Sequence, residues 1–148
     1  MGITSVNPAT GKTIKTYDEM TPEAAAAAVA QAHETWQTWR KTTFATRATH
    51  MKKAAGILRE RKQELARLMA SEMGKPLKQG VAEAEKCAWV CDYYADNAEA
   101  LLGLDVIKTD ALKSYVAFEP LGVVLAIMPW NFPFWQVYRF AAPAVMAV

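Results

Sequence analysis

The sequence predicts an α/β architecture in which a helical half leads into the first strand and helix of a parallel sheet. Three observations predict it. Apolar residues recur at three-four spacing through most of residues 21–103. The character then changes at Val123-Val124-Leu125-Ala126-Ile127, a continuous apolar run of the kind a parallel strand covered on both faces shows. Pro133 then stands at the head of another apolar segment and suits the first position of a helix.

The elements follow in order. Val6 to Ile14 holds an Asn-Pro and a Gly between short apolar ends, so two short strands and a turn are expected. Thr21-Pro22-Glu23 reads as a helix start: a capping hydroxyl, a proline at the first position and an acid at the positive end of the dipole. Val29, Ala32, Trp36 and Trp39 share one face of that helix. A second helical region runs from about Thr46 to Met73. Its stripes are Met51, Ala55, Leu58 and then Leu65, Leu68, Met69, and the solvated run Arg59-Glu60-Arg61-Lys62 marks a bend between them. Gly74 and Pro76 stop it, with Lys75 read as a helix-end charge. A third helix spans about Leu77 to Leu102 on a small, alanine-rich stripe suited to close packing, and Gly103 fits the position after its cap. Tyr115 to Phe118 is strand-like and Glu119 to Gly122 is a turn. The organisation expected is a helical region over about 21–103, a strand region over about 114–132, and the start of the next helix over 133–148.

A parallel strand needs a parallel partner reached through a crossover. The 148 residues supply one such strand and most of one helix. The expectation is therefore the N-terminal part of a larger α/β protein, or a truncated product. Composition sets further bounds. With 52% apolar and 22% charged residues the chain is globular rather than disordered. A net charge of +2, with basic residues spread among glutamates, gives no footprint for nucleic acid. No apolar leader opens the chain, so secretion is not expected. Three prolines, Asn131, Gln136 and Arg139 interrupt residues 123–148, so no membrane span is expected there. Cys87 and Cys91 lie four apart in a helix, which separates their Cβ atoms by roughly 5–6 Å, too far for the roughly 3.5–4.5 Å of a disulfide. No histidine clusters with them, so no metal site is expected, and two buried free thiols fit a reducing cytoplasm. His33 and His50 are expected on the surface.

Met128-Pro129-Trp130-Asn131-Phe132-Pro133-Phe134 holds the chemistry. Asn131 is an amide between two aromatic residues, bracketed by prolines that limit the backbone around it. The residues alone leave two roles open: a hydrogen-bond donor aimed at a ligand, or a cap before the helix. Ile127, Met128, Pro129 and Trp130 lie at the carboxyl end of the expected strand, where open α/β sheets bind ligands, or where strand ends pack. Arg139 sits eight residues after Asn131 in an otherwise apolar helix. A charge buried there is costly unless paired. It either grips a ligand carboxylate with two parallel bonds or forms a structural ion pair. Phe132, Gln136 and Arg139 fall on one helical stripe and can line one funnel.

Four stretches together carry a resemblance. They are Val6-Asn7-Pro8-Ala9-Thr10-Gly11, Glu72-Met73-Gly74-Lys75-Pro76, Phe118-Glu119-Pro120-Leu121-Gly122-Val123-Val124 and Pro129-Trp130-Asn131-Phe132-Pro133. In this order, with helices between, the whole chain resembles the aldehyde dehydrogenase superfamily, and within it the succinate-semialdehyde dehydrogenases. The resemblance implies the N-terminal helices and the start of a Rossmann-like dinucleotide-binding domain, without the catalytic domain. It implies a reaction in which a cysteine thiolate attacks an aldehyde, a hydride passes to NAD or NADP, and a glutamate activates water against the thioester.

In that scheme Asn131 is the amide that holds charge on the carbonyl oxygen, Ile127, Met128, Pro129, Trp130 and Asn131 line the dinucleotide site, and Phe132, Gln136 and Arg139 line the substrate site, with Arg139 on the distal carboxylate of succinic semialdehyde. Aromatic or amino aldehydes are the alternative substrates, and a non-catalytic fragment is the alternative role. The family's nucleophile, its glutamate base, the cofactor-binding lysine of the next strand and the glycine-rich cofactor turn are not matched in residues 1–148, and Cys87 and Cys91 do not fit the nucleophile's motif. The chain alone is therefore expected to be inactive, and the longer enzyme to be a cytoplasmic homo-oligomer.

Overall fold

The computed structural model describes residues 2–147; Val148, the last residue of the expected final helix, lies outside them. A hairpin opens the chain, with β1 (Ile3–Val6) antiparallel to β2 (Thr13–Tyr17). Asn7 closes its turn, taking the Ala9 amide on Oδ1 at 2.9 Å and the Gly11 amide on its carbonyl at 2.8 Å. Helix α1 (Pro22–Trp39) starts where expected, with Thr21 Oγ1 accepting from the Ala24 amide at 3.2 Å. It buries none of its residues: Val29 is exposed, and of its apolar stripe only Trp36 and Trp39 are half-buried.

The expected second helix is two helices, α2 (Phe44–Glu60) and α3 (Lys62–Met73), broken at Arg61 within the charged run. α3 ends on Gly74 at φ 73°, the left-handed conformation that glycine adopts without a Cβ penalty. α4 (Leu77–Leu101) is the centre of the molecule. It packs against α2, α3 and α5 (Pro133–Ala147). Its small stripe does what small stripes allow. Ala84, Cys87, Ala88 and Cys91 are fully buried, and a Cβ on Gly80 would come within 2.9 Å of the Ala66 backbone in α3. Met51, Leu58 and Met146 complete the core from the neighbouring helices. Leu102 caps α4 and Gly103 takes the position after the cap, as expected, without a positive φ.

The strand region differs from the expectation. Tyr115–Val116 (β4) pairs with Asp105–Val106 (β3) in an antiparallel ribbon, and β3 carried no sequence signal. Residues 123–127 form no ladder among the described residues, and Leu125 and Ile127 are 84% and 85% exposed. Strand hydrogen bonds need a neighbouring strand, and none of the described residues lies alongside to supply one. No helix among the described residues is long and apolar enough to cross a membrane.

Candidate active site

The site is built where α5 begins. The first amides of a helix lack internal partners. Pro133 has no N–H to satisfy, and the Gln136 amide donates to the Phe132 carbonyl at 2.9 Å. That leaves Phe134 and Trp135. Both amides donate to one oxygen, Oε1 of Glu83 on α4, at 3.0 Å each. Phe132, at the capping position, has no side-chain acceptor, so a carboxylate from another helix does the capping. It also places negative charge at the positive end of the α5 dipole.

Oε2 of Glu83 pairs with Lys75 Nζ, and both side chains are almost wholly buried. Lys75 Nζ also reaches the Asn131 carbonyl at 3.4 Å and stands 3.9 Å from the centre of the Phe132 ring. A buried ion pair is tolerable when further hydrogen bonds satisfy its charges, and the turn supplies them. Lys75 does follow the end of α3, as expected, but as a buried cation paired with Glu83 rather than only a helix-end charge. The signal for it lay in α4. Glu83 falls on the buried face with Gly80 and Cys87, and a carboxylate there requires a cation.

A cleft of about 630 Å³ opens beside this turn. Asn131, Phe132, Gln136 and Arg139 all line it, together with Trp135 and with Gln79, Ala82, Glu83 and Lys86 of α4. Four expected site residues therefore share one wall. Asn131 is exposed, and among the described residues no hydrogen bond occupies its side-chain amide. Arg139 is exposed, which corrects the expectation of a buried charge. The guanidinium stays hydrated at the cleft rim, so no buried partner is needed. Lys86 Nζ lies 3.9 Å over the Trp135 ring and adds a second cation to the same cleft. Among the described residues neither Lys86 nor Arg139 is in an ion pair.

The expected dinucleotide residues are arranged differently. Ile127 and Trp130 are 85% and 78% exposed, and Met128 is half-buried. Trp130 borders a separate pocket of about 380 Å³, with Leu68, Met73 and Phe134. This shelf is mostly apolar, with Glu72 the charged side chain in its lining. It fits the flat, uncharged part of a dinucleotide and supplies no cation for a phosphate.

Cys87 and Cys91 are fully buried and unbridged. Burial, reinforced by the nearby Glu83, pushes the Cys87 thiol up to about 12. Burial and Asp92 push Cys91 up to about 11. Both stay protonated at neutral pH, so neither is a thiolate nucleophile. Among the described residues no group of histidine, cysteine and carboxylate side chains is arranged to hold a metal.

The sequence model of the aldehyde dehydrogenase family matches residues 1–148, the whole chain. The chain belongs to the aldehyde dehydrogenase family. It is 52% identical over 147 residues to a Synechocystis sp. protein named Probable succinate-semialdehyde dehydrogenase (NADP+), covering 99% of this chain and 32% of that one. It is 48% identical over 150 residues to Succinate-semialdehyde dehydrogenase (NADP+) 1 of Mycobacterium bovis, covering 99% and 33%. Among solved structures, succinic semialdehyde dehydrogenase from Streptococcus pyogenes, in complex with NADP+, superposes with a TM-score of 0.92 at 33% identity over 97% of this chain and 32% of that one. The chain thus spans about a third of the length of the aldehyde dehydrogenases it matches. Its fold is the aldehyde dehydrogenase fold over that third, as the four resembling stretches implied. Glu83 and Lys86 line the cleft and Lys75 pairs with Glu83, and the resemblance had given none of the three a role at the site.

Proposed function

We propose that this chain supplies the carbonyl-binding amide and part of the carboxylate-recognition wall of an NAD(P)-dependent aldehyde dehydrogenase that oxidises succinic semialdehyde to succinate. One observation carries the reading: the uncommitted amide of Asn131 and the guanidinium of Arg139 line the same cleft. An aldehyde with a distal carboxylate matches that pairing at both ends. The names of the Synechocystis and Mycobacterium relatives support the substrate and favour NADP+.

Each residue has a task. The Asn131 NH₂ donates to the aldehyde oxygen as it gains charge, an interaction whose loss typically costs about 10²–10³ in rate. Arg139 takes the far carboxylate, and Lys86 raises the positive potential on the same wall. Phe132 and Gln136 flank the path between them. The bound dinucleotide would accept the hydride, and Ile127, Met128, Pro129 and Trp130 would present backbone and apolar surface to it, beside Asn131. Residues 1–148 alone are inactive on this reading, because both their thiols are buried and protonated. The same free thiols accord with a reducing cytoplasm, and the full enzyme is read as a homo-oligomer.

The test is Arg139→Ala in the full-length enzyme. KM for succinic semialdehyde should rise at least tenfold more than KM for a neutral aldehyde of equal length, since a charged hydrogen bond contributes about 1.5–3 kcal/mol. Equal rises for both substrates would remove the carboxylate and favour an aromatic or amino aldehyde.

A further inference from the structure

We infer that the buried Lys75–Glu83 pair is the positioning device for Asn131, fixing the turn so that its amide faces the cleft; this rests on the oxyanion role proposed above. Asn131 is exposed and its side chain has no hydrogen-bonded support among the described residues, so its aim depends on its backbone. The pair holds that backbone from both sides. Lys75 contacts the Asn131 carbonyl and the Phe132 ring before the helix, and Glu83 takes the Phe134 and Trp135 amides after it. The two residues come from opposite sides of Pro76, Lys75 after the end of α3 and Glu83 within α4. The turn is thereby referenced to the core rather than to its own loop. The prolines at 129 and 133 limit the dihedrals; the ion pair sets where the restricted turn sits. Both side chains are almost wholly buried, Glu83 behind the cleft wall, so the pair acts through Asn131 rather than on the substrate.

The experiment is a mutant cycle in the full-length enzyme. Glu83→Asp keeps the charge that Lys75 needs and withdraws the carboxylate by one methylene from the two amides. It should lower kcat for the aldehyde about 10- to 100-fold, the cost expected of a displacement near 1 Å, with KM for the aldehyde little changed because Arg139 is untouched. In the Asn131→Ala background the same change should cost less than about twofold, because residues acting as one unit are not additive. Lys75→Arg, which keeps a cation for Glu83 but shifts its contact with the Asn131 carbonyl, should lower the rate likewise and again cost less than about twofold in the Asn131→Ala background. It also serves as the test variant if the aspartate enzyme fails to fold. An equal loss in both backgrounds would overturn the inference and make the pair a general structural brace. If Asn131→Ala alone leaves the rate intact, the oxyanion reading itself fails and takes the inference with it, a pattern distinct from additivity.

Discussion

Arg47 donates from Nη1 to the carbonyl of Met146, 2.9 Å away and 99 residues along the chain. The same guanidinium reaches the carbonyls of Trp39, Arg40 and Thr42 at 3.2–3.3 Å and the Thr42 hydroxyl at 3.0 Å. Arg47 is buried and its hydrogen bonds go to carbonyls and a hydroxyl, not to a carboxylate. One side chain therefore ties carbonyls at and just past the end of α1 to the Met146 carbonyl of α5. Trp39 adds a second tie, donating from Nε1 to the Val145 carbonyl at 3.0 Å. Replacing Arg47 by Met keeps much of the volume and removes the donor to the buried Met146 carbonyl and to partly buried carbonyls after α1. The expected loss is about 3 kcal/mol, since unsatisfied buried groups cost about 1–3 kcal/mol each and water will rescue some. The urea midpoint measures it, and a loss under about 0.5 kcal/mol would show that the hub is dispensable.

Gly80 offers a sharper packing test. Alanine favours a helix over glycine by about 1 kcal/mol, so the substitution would stabilise an open site. Here the new Cβ meets Ala66 at 2.9 Å, and overpacking typically costs about 1–3 kcal/mol. The clash involves backbone and a short side chain, neither of which can swing away. Gly80→Ala should therefore lower the thermal midpoint. A raised midpoint would mean that α3 and α4 are less tightly apposed than 2.9 Å implies.

Both thiols should resist iodoacetamide at neutral pH until the chain is unfolded. Their pKa values are raised from 9.0 to about 12 and about 11 by burial. A raised thiol value favours the native state while the thiols stay protonated. That contribution is complete below about pH 9 and is lost as pH climbs toward 11–12. Native stability should accordingly fall across this alkaline window. Cys87→Ala/Cys91→Ala should flatten the fall, although each alanine also leaves a small cavity. Rapid alkylation of the native chain at pH 7 would contradict the burial.

Much of this could be read from sequence because it is local. Thr21-Pro22 starts α1, Gly74 ends α3, and the alanine stripe of α4 packs as its spacing requires. Asn131, Phe132, Gln136 and Arg139 meet in one cleft because a short turn and one helical stripe bring them there. What escaped is non-local. Glu83 and the amide of Trp135 are 52 residues apart, and no periodicity announces a helix capped by another helix. Lys75 looked like an end-of-helix charge because its partner lies across a proline. The β3 strand has two residues and only its antiparallel partner to define it. Residues 123–127 read as a buried strand from composition, yet hydrogen-bonded pairing depends on neighbours that composition cannot supply.

On the proposed function the Asn131 amide acts on the reacting carbonyl and on little else. Its exposure and its lack of a hydrogen-bonded partner among the described residues separate chemistry from stability. Asn131→Ala in the full-length enzyme, assayed by steady-state oxidation of succinic semialdehyde alongside thermal unfolding, tests this most directly. kcat/KM should fall by about 10²–10³ with the midpoint of unfolding unchanged. An enzyme within threefold of the original rate, or one that loses activity only because it unfolds, would contradict it.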